Sequence, residues 1–265
     1  RMSGTHNQQL DDAYIEQMTF RDATIMLVED SRVNQIIVEE MLMQIGCYVS
    51  IVENGKEAME AVAEQTFDMI LMDCQMPIMD GFEATEMMCE LKATGHMPDT
   101  PIVALTGNAM KGDKERCLRA GMQDYMTKPV SKKMLRGMLA KWLPADKQVQ
   151  LVDQGEQEGQ DAQAQADAIA ASDETKQVDQ DTLEETSRML GERFEEMVGY
   201  YLEDSERYIQ EMEQALQNEE HVEVAGLAHT LKSSSRGLGL TSMADLSKQI
   251  EQDAKANGPT ARNFS

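Results

Sequence analysis

The stretch ATIMLVEDSRVNQIIVEEMLMQIG, residues 23–46, decides the fold of the first half of the chain. Its opening, ATIMLV, is a short, almost continuously apolar run with no alternation, which reads as a strand covered on both faces. Glu29 and Asp30 stop that run. Val33, Ile36, Ile37, Met41 and Leu42 then recur at helical spacing, and Gly46 ends the turn. A buried strand followed directly by a helix is the first unit of a strand–helix crossover.

The unit repeats. YVSIVEN (48–54) precedes a helix from Gly55 to Gln65, and DMILMD (68–73) leads through a Pro/Gly-marked loop to a helix near Phe82–Ala93. PIVALTG (101–107) precedes a helix near Met110–Ala120, and DYMTKP (124–129) a helix from Ser131 to Trp142. Strands of this apolar kind, alternating with helices, predict an α/β fold with a doubly wound, five-stranded parallel sheet. After Lys176 the strand pattern ends. TLEETSRML, RFEEMVGYYLEDSERYIQEMEQALQN, VEVAGLAHTLKSSSRGLG and SMADLSKQIEQDAKAN read as amphipathic helices of a separate all-α bundle.

Between these regions, residues 147–177 are rich in Gln, Ala, Asp and Glu and lack aromatics, the composition of a flexible acidic linker. The predicted organisation is an N-terminal linker or tag (1–21) with a helix around Ala13–Met18, an α/β domain (22–145), the acidic linker (146–177) and the bundle (178–265). Arg1 ahead of Met2 reads as a tag remnant or the cut end of a longer chain.

The 265 residues carry 48 Asp and Glu against 24 Lys and Arg, a net charge of −24, which argues against nucleic acid or an anionic membrane as the main partner. No apolar run approaches a membrane span, and RMSGTHNQQL lacks the build of a signal peptide. Cys47, Cys74, Cys89 and Cys117 show no metal-ligand spacing and read as free thiols of a reducing cytoplasm. The 22 methionines read as core filler rather than a cofactor site.

In a doubly wound sheet, chemistry gathers at the carboxyl ends of the strands. Glu29 and Asp30 end the first strand, Asp73 the third, Thr106 the fourth and Lys128 the fifth. Converging carboxylates cannot all stay ionised unaided, and a hard cation such as magnesium, bound through oxygens, resolves the conflict. A lysine beside them offers a charge, and a threonine a directed hydroxyl, to a phosphoryl group. The set suits phosphoryl transfer to a carboxylate.

LVEDS, MDCQMPIMDGFEAT, PIVALTGNAM and YMTKPV, taken in order, type and spacing, resemble the receiver domains of two-component signalling proteins over residues 22–145. The resemblance implies a flavodoxin-like fold with Asp73 as phosphoacceptor. It implies that Glu29, Asp30, Asp73 and the backbone carbonyl of Gln75 hold Mg2+ (or Mn2+). Thr106 and Lys128 would contact the phosphoryl group, Gly107 would leave room beside it, and Tyr125 would change rotamer together with Thr106 as the switch. A cis bond is expected before Pro129.

From about Val178 onward, VDQDTLEETSRMLGERFEEMVGYYLEDS and AHTLKSSSRGLG resemble a histidine-containing phosphotransfer (Hpt) domain. The resemblance implies that His229 projects into solvent and accepts phosphate, needing no acid beside it because a docked receiver supplies the charge. Lys232, Ser233 and Arg236 would form a small basic docking surface on its helix. The family's bundle has a further helix beyond the one ending near Asn257, so the last helix is expected to be missing or its place filled by another segment.

Together the two resemblances imply a phosphorelay segment from the C-terminal part of a hybrid sensor histidine kinase. Its partners would be an upstream kinase core and a downstream response-regulator receiver, in the cytoplasm. The chain holds no ATP-binding kinase core. The alternative is a phosphorylation-controlled interaction switch acting on an upstream kinase core, with Met110, Met122, Met126 and the last receiver helix as its surface. His229 would then be idle or a phosphate sink.

Overall fold

A computed structural model describes Ile15 and residues 17–107, 111–150 and 177–258. Five parallel strands, β2 (Ala23–Val28), β3 (Cys47–Val52), β4 (Met69–Asp73), β5 (Ile102–Thr106) and β6 (Asp124–Thr127), form a sheet in the order β3-β2-β4-β5-β6. The order reverses at β2, as in the doubly wound topology read from the sequence. Helices α1 (Arg32–Gln44) and α5 (Lys132–Trp142) cover one face, burying Val38, Leu42, Leu135 and Leu139 against Ile25, Leu27, Leu71 and Leu105. Helices α2 (Gly55–Glu64), α3 (Gly81–Ala93) and α4 (Lys111–Ala120) cover the other, over Met26, Ile70, Met72 and Ala104. Burial on both faces is why these strands are apolar without alternation.

The helix starts are specified locally. Ser31, Asn54, Asp80 and Ser131 each accept a backbone N–H from the first turn of α1, α2, α3 and α5. Gly81 opens α3 pressed against the chain: a Cβ there would lie 2.0 Å from the Asp73 carbonyl oxygen. Only glycine lets α3 start so close to the end of β4.

Two boundaries differ from the sequence expectation. Residues 18–20, assigned to the N-terminal linker, form β1 (Met18–Phe20), which pairs antiparallel with β7 (Gln148–Gln150), inside the segment read as acidic linker. A 3-10 turn, Ala145–Lys147, precedes β7. Met18 and Phe20 are buried in the receiver core, so apolar burial overrides the polar composition around them. Met18 is therefore strand rather than the end of a helix. Most of the helix expected at Ala13–Met18 lies outside the described residues, as do residues 151–176 of the linker.

The second half comprises α6 (Gln180–Leu190), α7 (Arg193–Gln217), α8 (His221–Gly237) and α9 (Thr241–Asn257), one short helix and three longer ones. Met197, Tyr201, Tyr208, Met212 and Ala215 form the buried stripe of α7, packed on Val224, Ala228 and Leu231 of α8. Leu202, Ile209 and Leu216, seven residues apart on α7, stay exposed. Val33 and Ile37, on the outer face of receiver helix α1, belong to the same buried cluster as the α7 and α8 core. The two domains thus share one apolar seam. Among the described residues no helix is long and apolar enough to cross a membrane.

Candidate functional site

Strand ends converge as the topology requires. One carboxylate oxygen each from Glu29, Asp30 and Asp73 lie within 4.8 Å of one another. Lys128 Nζ sits 2.6 Å from Glu29 Oε2 and 2.6 Å from Asp73 Oδ2. The Lys128 contact to Asp73 is an aligned hydrogen bond, whereas buried Glu29 Oε2 makes no aligned hydrogen bond. Glu29 Oε1 accepts from Asn34 Nδ2 at 2.8 Å.

These groups perturb one another in a consistent direction. Burial raises the Glu29 pKa, and Asp73 adds to the rise against the pull of Lys128. Burial, then Asp73 and Glu29, push Asp30 up to about 8. Burial alone would lower Lys128, but Asp73 and Glu29 outweigh it and hold its pKa above the ordinary value. Three carboxylates facing one ammonium leave an excess of negative charge, the donor set that fits a hard divalent cation.

The other expected residues fall around this cluster. Asp73 pairs with Leu105 across the β4–β5 ladder, which sets Thr106 at the adjoining strand end, buried. The Thr106 carbonyl accepts from the Lys128 backbone N–H at 2.8 Å. Gln75 turns its own N–H back to Asp73 Oδ1 at 3.2 Å. Tyr125 lies on β6, half-buried, with Lys114 Nζ 5.3 Å from its ring centre. The Lys128–Pro129 bond is cis. The four cysteines are free, with Cys74 and Cys117 Sγ atoms 3.8 Å apart. Met110 lies outside the described residues.

His229 stands on α8 over this strand edge, and here the structure corrects the sequence expectation. It does not project into solvent, being only 6% exposed, and it does have an acid beside it. Its Nδ1 lies 3.0 Å from Glu251 Oε1 on α9, while Lys232 Nζ donates to Glu251 Oε2. Lys255 donates to Glu251 as well. Burial would raise Glu251, but hydrogen bonds from His229, Lys232 and Lys255 outweigh it and hold the carboxyl well below its usual range. Lys232 Nζ also lies 3.1 Å from Nδ1, so the Glu251 carboxylate and the Lys232 ammonium together anchor the ring through Nδ1 and leave Nε2 on its other side. Burial lowers Lys232, against the pull of Glu251.

Nε2 faces the receiver. On the receiver side, a Cβ built on Gly107 would lie 3.5 Å from His229 Cε1 and 4.0 Å from Nε2. Gly107, Lys128, Pro129, His229, Lys232 and Arg236 enclose a gap of about 10 Å³, room for one water. Thr230, beside His229, donates to Asp30 Oδ2 at 2.7 Å. Ser233 accepts from Asn34 Nδ2 at 2.9 Å, and Arg236 is half-exposed near Asp245. Of the expected docking residues, Ser233 hydrogen-bonds the receiver, Lys232 is tied to Glu251 while its Nζ lies 3.9 Å from where a Gly107 Cβ would stand, and Arg236 lines the same gap.

Glu251, Thr230 and Asn34 had not been expected. Glu251 carried one readable signal: with Ala244, Ser247 and Ala254 it lies on the buried stripe of α9, a charge where an apolar residue belongs. Thr230 and Asn34 act only across the domain contact, which no local pattern reports.

A doubly wound sheet with an acidic cluster at its strand ends, capped by a helical bundle presenting a histidine, defines a receiver–phosphotransfer pair. Residues 25–140 match the family model of the response regulator receiver domain, and residues 196–263 that of the Hpt domain. The chain therefore carries a receiver domain followed by an Hpt domain.

Among curated proteins, the sensor protein GacS of Pseudomonas syringae pv. syringae is 40% identical over 125 residues, 47% of this chain and 14% of that protein. The signal transduction histidine-protein kinase BarA of Escherichia coli K12 is 38% identical over 121 residues, 46% of this chain and 13% of that protein. Both match the receiver half, and the chain spans about one seventh of their length. Among solved structures, the magnesium-bound receiver domain of the sensor histidine kinase PA1611 from Pseudomonas aeruginosa PAO1 is 43% identical. It covers 45% of this chain and 96% of that one, with a TM-score of 0.41.

Proposed function

We propose that the chain is the relay segment of a hybrid sensor histidine kinase, carrying phosphate from an upstream phosphohistidine to Asp73, then to His229, and on to a downstream receiver. What supports this reading above all is the seat of His229 beside Gly107 and Lys128 at the receiver's strand edge, with Nδ1 tied to Glu251. In the first transfer an Asp73 oxygen attacks phosphorus, a P–O bond forms and the P–N bond of the donor imidazole breaks. In the second, His229 Nε2 attacks phosphorus, a P–N bond forms, and the P–O bond breaks to return Asp73 as carboxylate.

Lys128 and Thr106 hold phosphoryl oxygens, and Glu251 stabilises the charge that develops on the His229 ring as its Nε2 lone pair is used. Glu29, Asp30, Asp73 and the Gln75 carbonyl would hold Mg2+ or Mn2+. When bound, the ion neutralises phosphoryl charge. The tether between the domains raises the effective concentration of one site at the other. The location is cytoplasmic in this reading, with the rest of the kinase upstream.

The test is phosphorylation with acetyl phosphate and Mg2+, followed by the chemical stability of the label. Base-stable, acid-labile label that disappears in both Asp73→Asn and His229→Gln is the expected result. Label that is only base-labile and indifferent to His229→Gln would sink the relay.

A further inference from the structure

The contact between the two domains is held by charge as well as by the apolar seam. Arg32, the first residue of α1, places Nε 3.0 Å from Asp204 Oδ2 and Nη2 2.6 Å from Asp204 Oδ1. This is a two-pronged guanidinium–carboxylate fork, the geometry in which arginine is selective over lysine. The same guanidinium reaches Glu203 at 2.9 Å and lies 4.6 Å from the Tyr200 ring centre. Asp204 is 5% exposed in the middle of α7, and its remaining partner is Arg207 of its own helix. A second pairing runs the other way: Arg193 of the bundle reaches Glu39 and Glu40 of α1 at 2.7 and 3.1 Å.

A receiver in this seat fills the approach to His229. The gap between Gly107, Lys128–Pro129 and His229 holds no more than a water. A second receiver would have to bring its own acidic cluster to that same nitrogen, so the two are mutually exclusive.

We propose that the Hpt bundle selects receivers that carry an arginine at the start of their first helix and carboxylates about two turns further on. This chain's own receiver, held by Arg32 and by Arg193, shields His229 from any other until it lets go. Asp204 is the selecting group: a receiver with an apolar or acidic residue at the position of Arg32 would leave a buried carboxylate with one partner fewer. Onward transfer then waits on undocking, and the two ion-pair clusters set how often that happens. The inference rests on the relay reading for its purpose, but the contact it describes is tested without phosphate.

The full chain is treated with diethyl pyrocarbonate, which acylates accessible neutral imidazole nitrogens, and modification is followed site by site by mass spectrometry. His96, exposed on the receiver, is the internal reference. In the unaltered chain His229 should react at least about tenfold more slowly than His96, and Arg32→Glu should remove most of that protection. Arg193→Glu should act in the same direction more weakly, because its partners Glu39 and Glu40 are 24% and 20% exposed against 7% for Asp204. That exposure also makes it the variant that decides if Arg32→Glu fails to fold by circular dichroism. The proposal is overturned if His229 reacts as fast as His96 in the unaltered chain, or if folded Arg32→Glu and Arg193→Glu both leave it protected. Neither result depends on whether the label of the phosphorylation experiment reaches His229.

Discussion

Nδ1 of His229 lies 3.0 Å from Oε1 of Glu251, twenty-two residues away on the next helix. That contact orients the ring, and Lys232 and Lys255 hold the carboxylate as well, Lys232 also lying 3.1 Å from Nδ1. In the relay proposed above, His229 would be positioned by groups of its own bundle. The receiver would then supply the charge for the transferred group, and the bundle the aim.

Replacing Glu251 by Ala should slow transfer from Asp73 to His229 by about 10- to 100-fold, the usual penalty for losing alignment of a reacting group. Glu251→Gln keeps an acceptor for the Nδ1 proton but not the charge, so it should fall between. Rapid-quench measurement of label on His229 separates the three proteins. Equal rates in all three would show that ring orientation is set by packing alone.

The same carboxylate fixes a pH dependence. Its folded pKa lies below the ordinary 4.5, so its ion pairs contribute their full stability above that value. The contribution fades as pH falls below 4.5 through the folded pKa, because the native state must then give up a charge the unfolded state has already lost. Urea unfolding of the unaltered chain and of Glu251→Gln should differ by a constant amount at neutral pH. The two curves should draw together in acid. A gap that widens as pH falls would contradict the sign.

At the strand edge, Asp30 faces Asp73 and Glu29 with Lys128 as the neutralising cation, and burial and repulsion raise its pKa to about 8. Asp30→Asn should therefore stabilise the metal-free protein by on the order of 1 kcal/mol in thermal melts with EDTA. Its side-chain oxygen can still accept from Thr230. Saturating Mg2+ should raise the Tm of the unaltered chain, by the equivalent of about 2.7 kcal/mol at a hundredfold excess over Kd, and that of Asp30→Asn far less. A loss of Tm in Asp30→Asn without metal would mean that the aspartate makes a net favourable contact there.

The five-unit sheet was legible because continuous apolar strands and one-sided helices are different periodicities. Glu29, Asp30, Asp73 and Lys128 were legible for a topological reason: each follows the apolar run of a strand in one parallel sheet. Legibility failed wherever two distant segments had to be packed first. Glu251 stands beside His229 only after α9 folds onto α8, and Arg32 meets Asp204 only after the domains join. His229 was expected in solvent because the resemblance to an Hpt domain implied it, but Gly107 and Pro129, which line the gap beside it, belong to the receiver.

The β1–β7 clasp was hidden for a simpler reason, since three residues are too few to show alternation and QVQ is two-thirds polar. Yet Phe20 is 3% exposed, its backbone N–H donates to the Ile45 carbonyl at 2.8 Å, and Arg136 Nε holds the Met18 carbonyl at 3.1 Å. The ring packs in the core under α1 and α5, so Phe20→Ala should cost about 3–5 kcal/mol of receiver stability, as a large core truncation does. A receiver cut at residue 22 loses the ring and the strand together and should be destabilised at least as much. Denaturant unfolding of the two proteins tests this directly: if the shortened receiver is as stable as the longer one, β1 is an ornament of the linker. If it is not, the segment entering the receiver and the segment leaving it are one structural unit with its core.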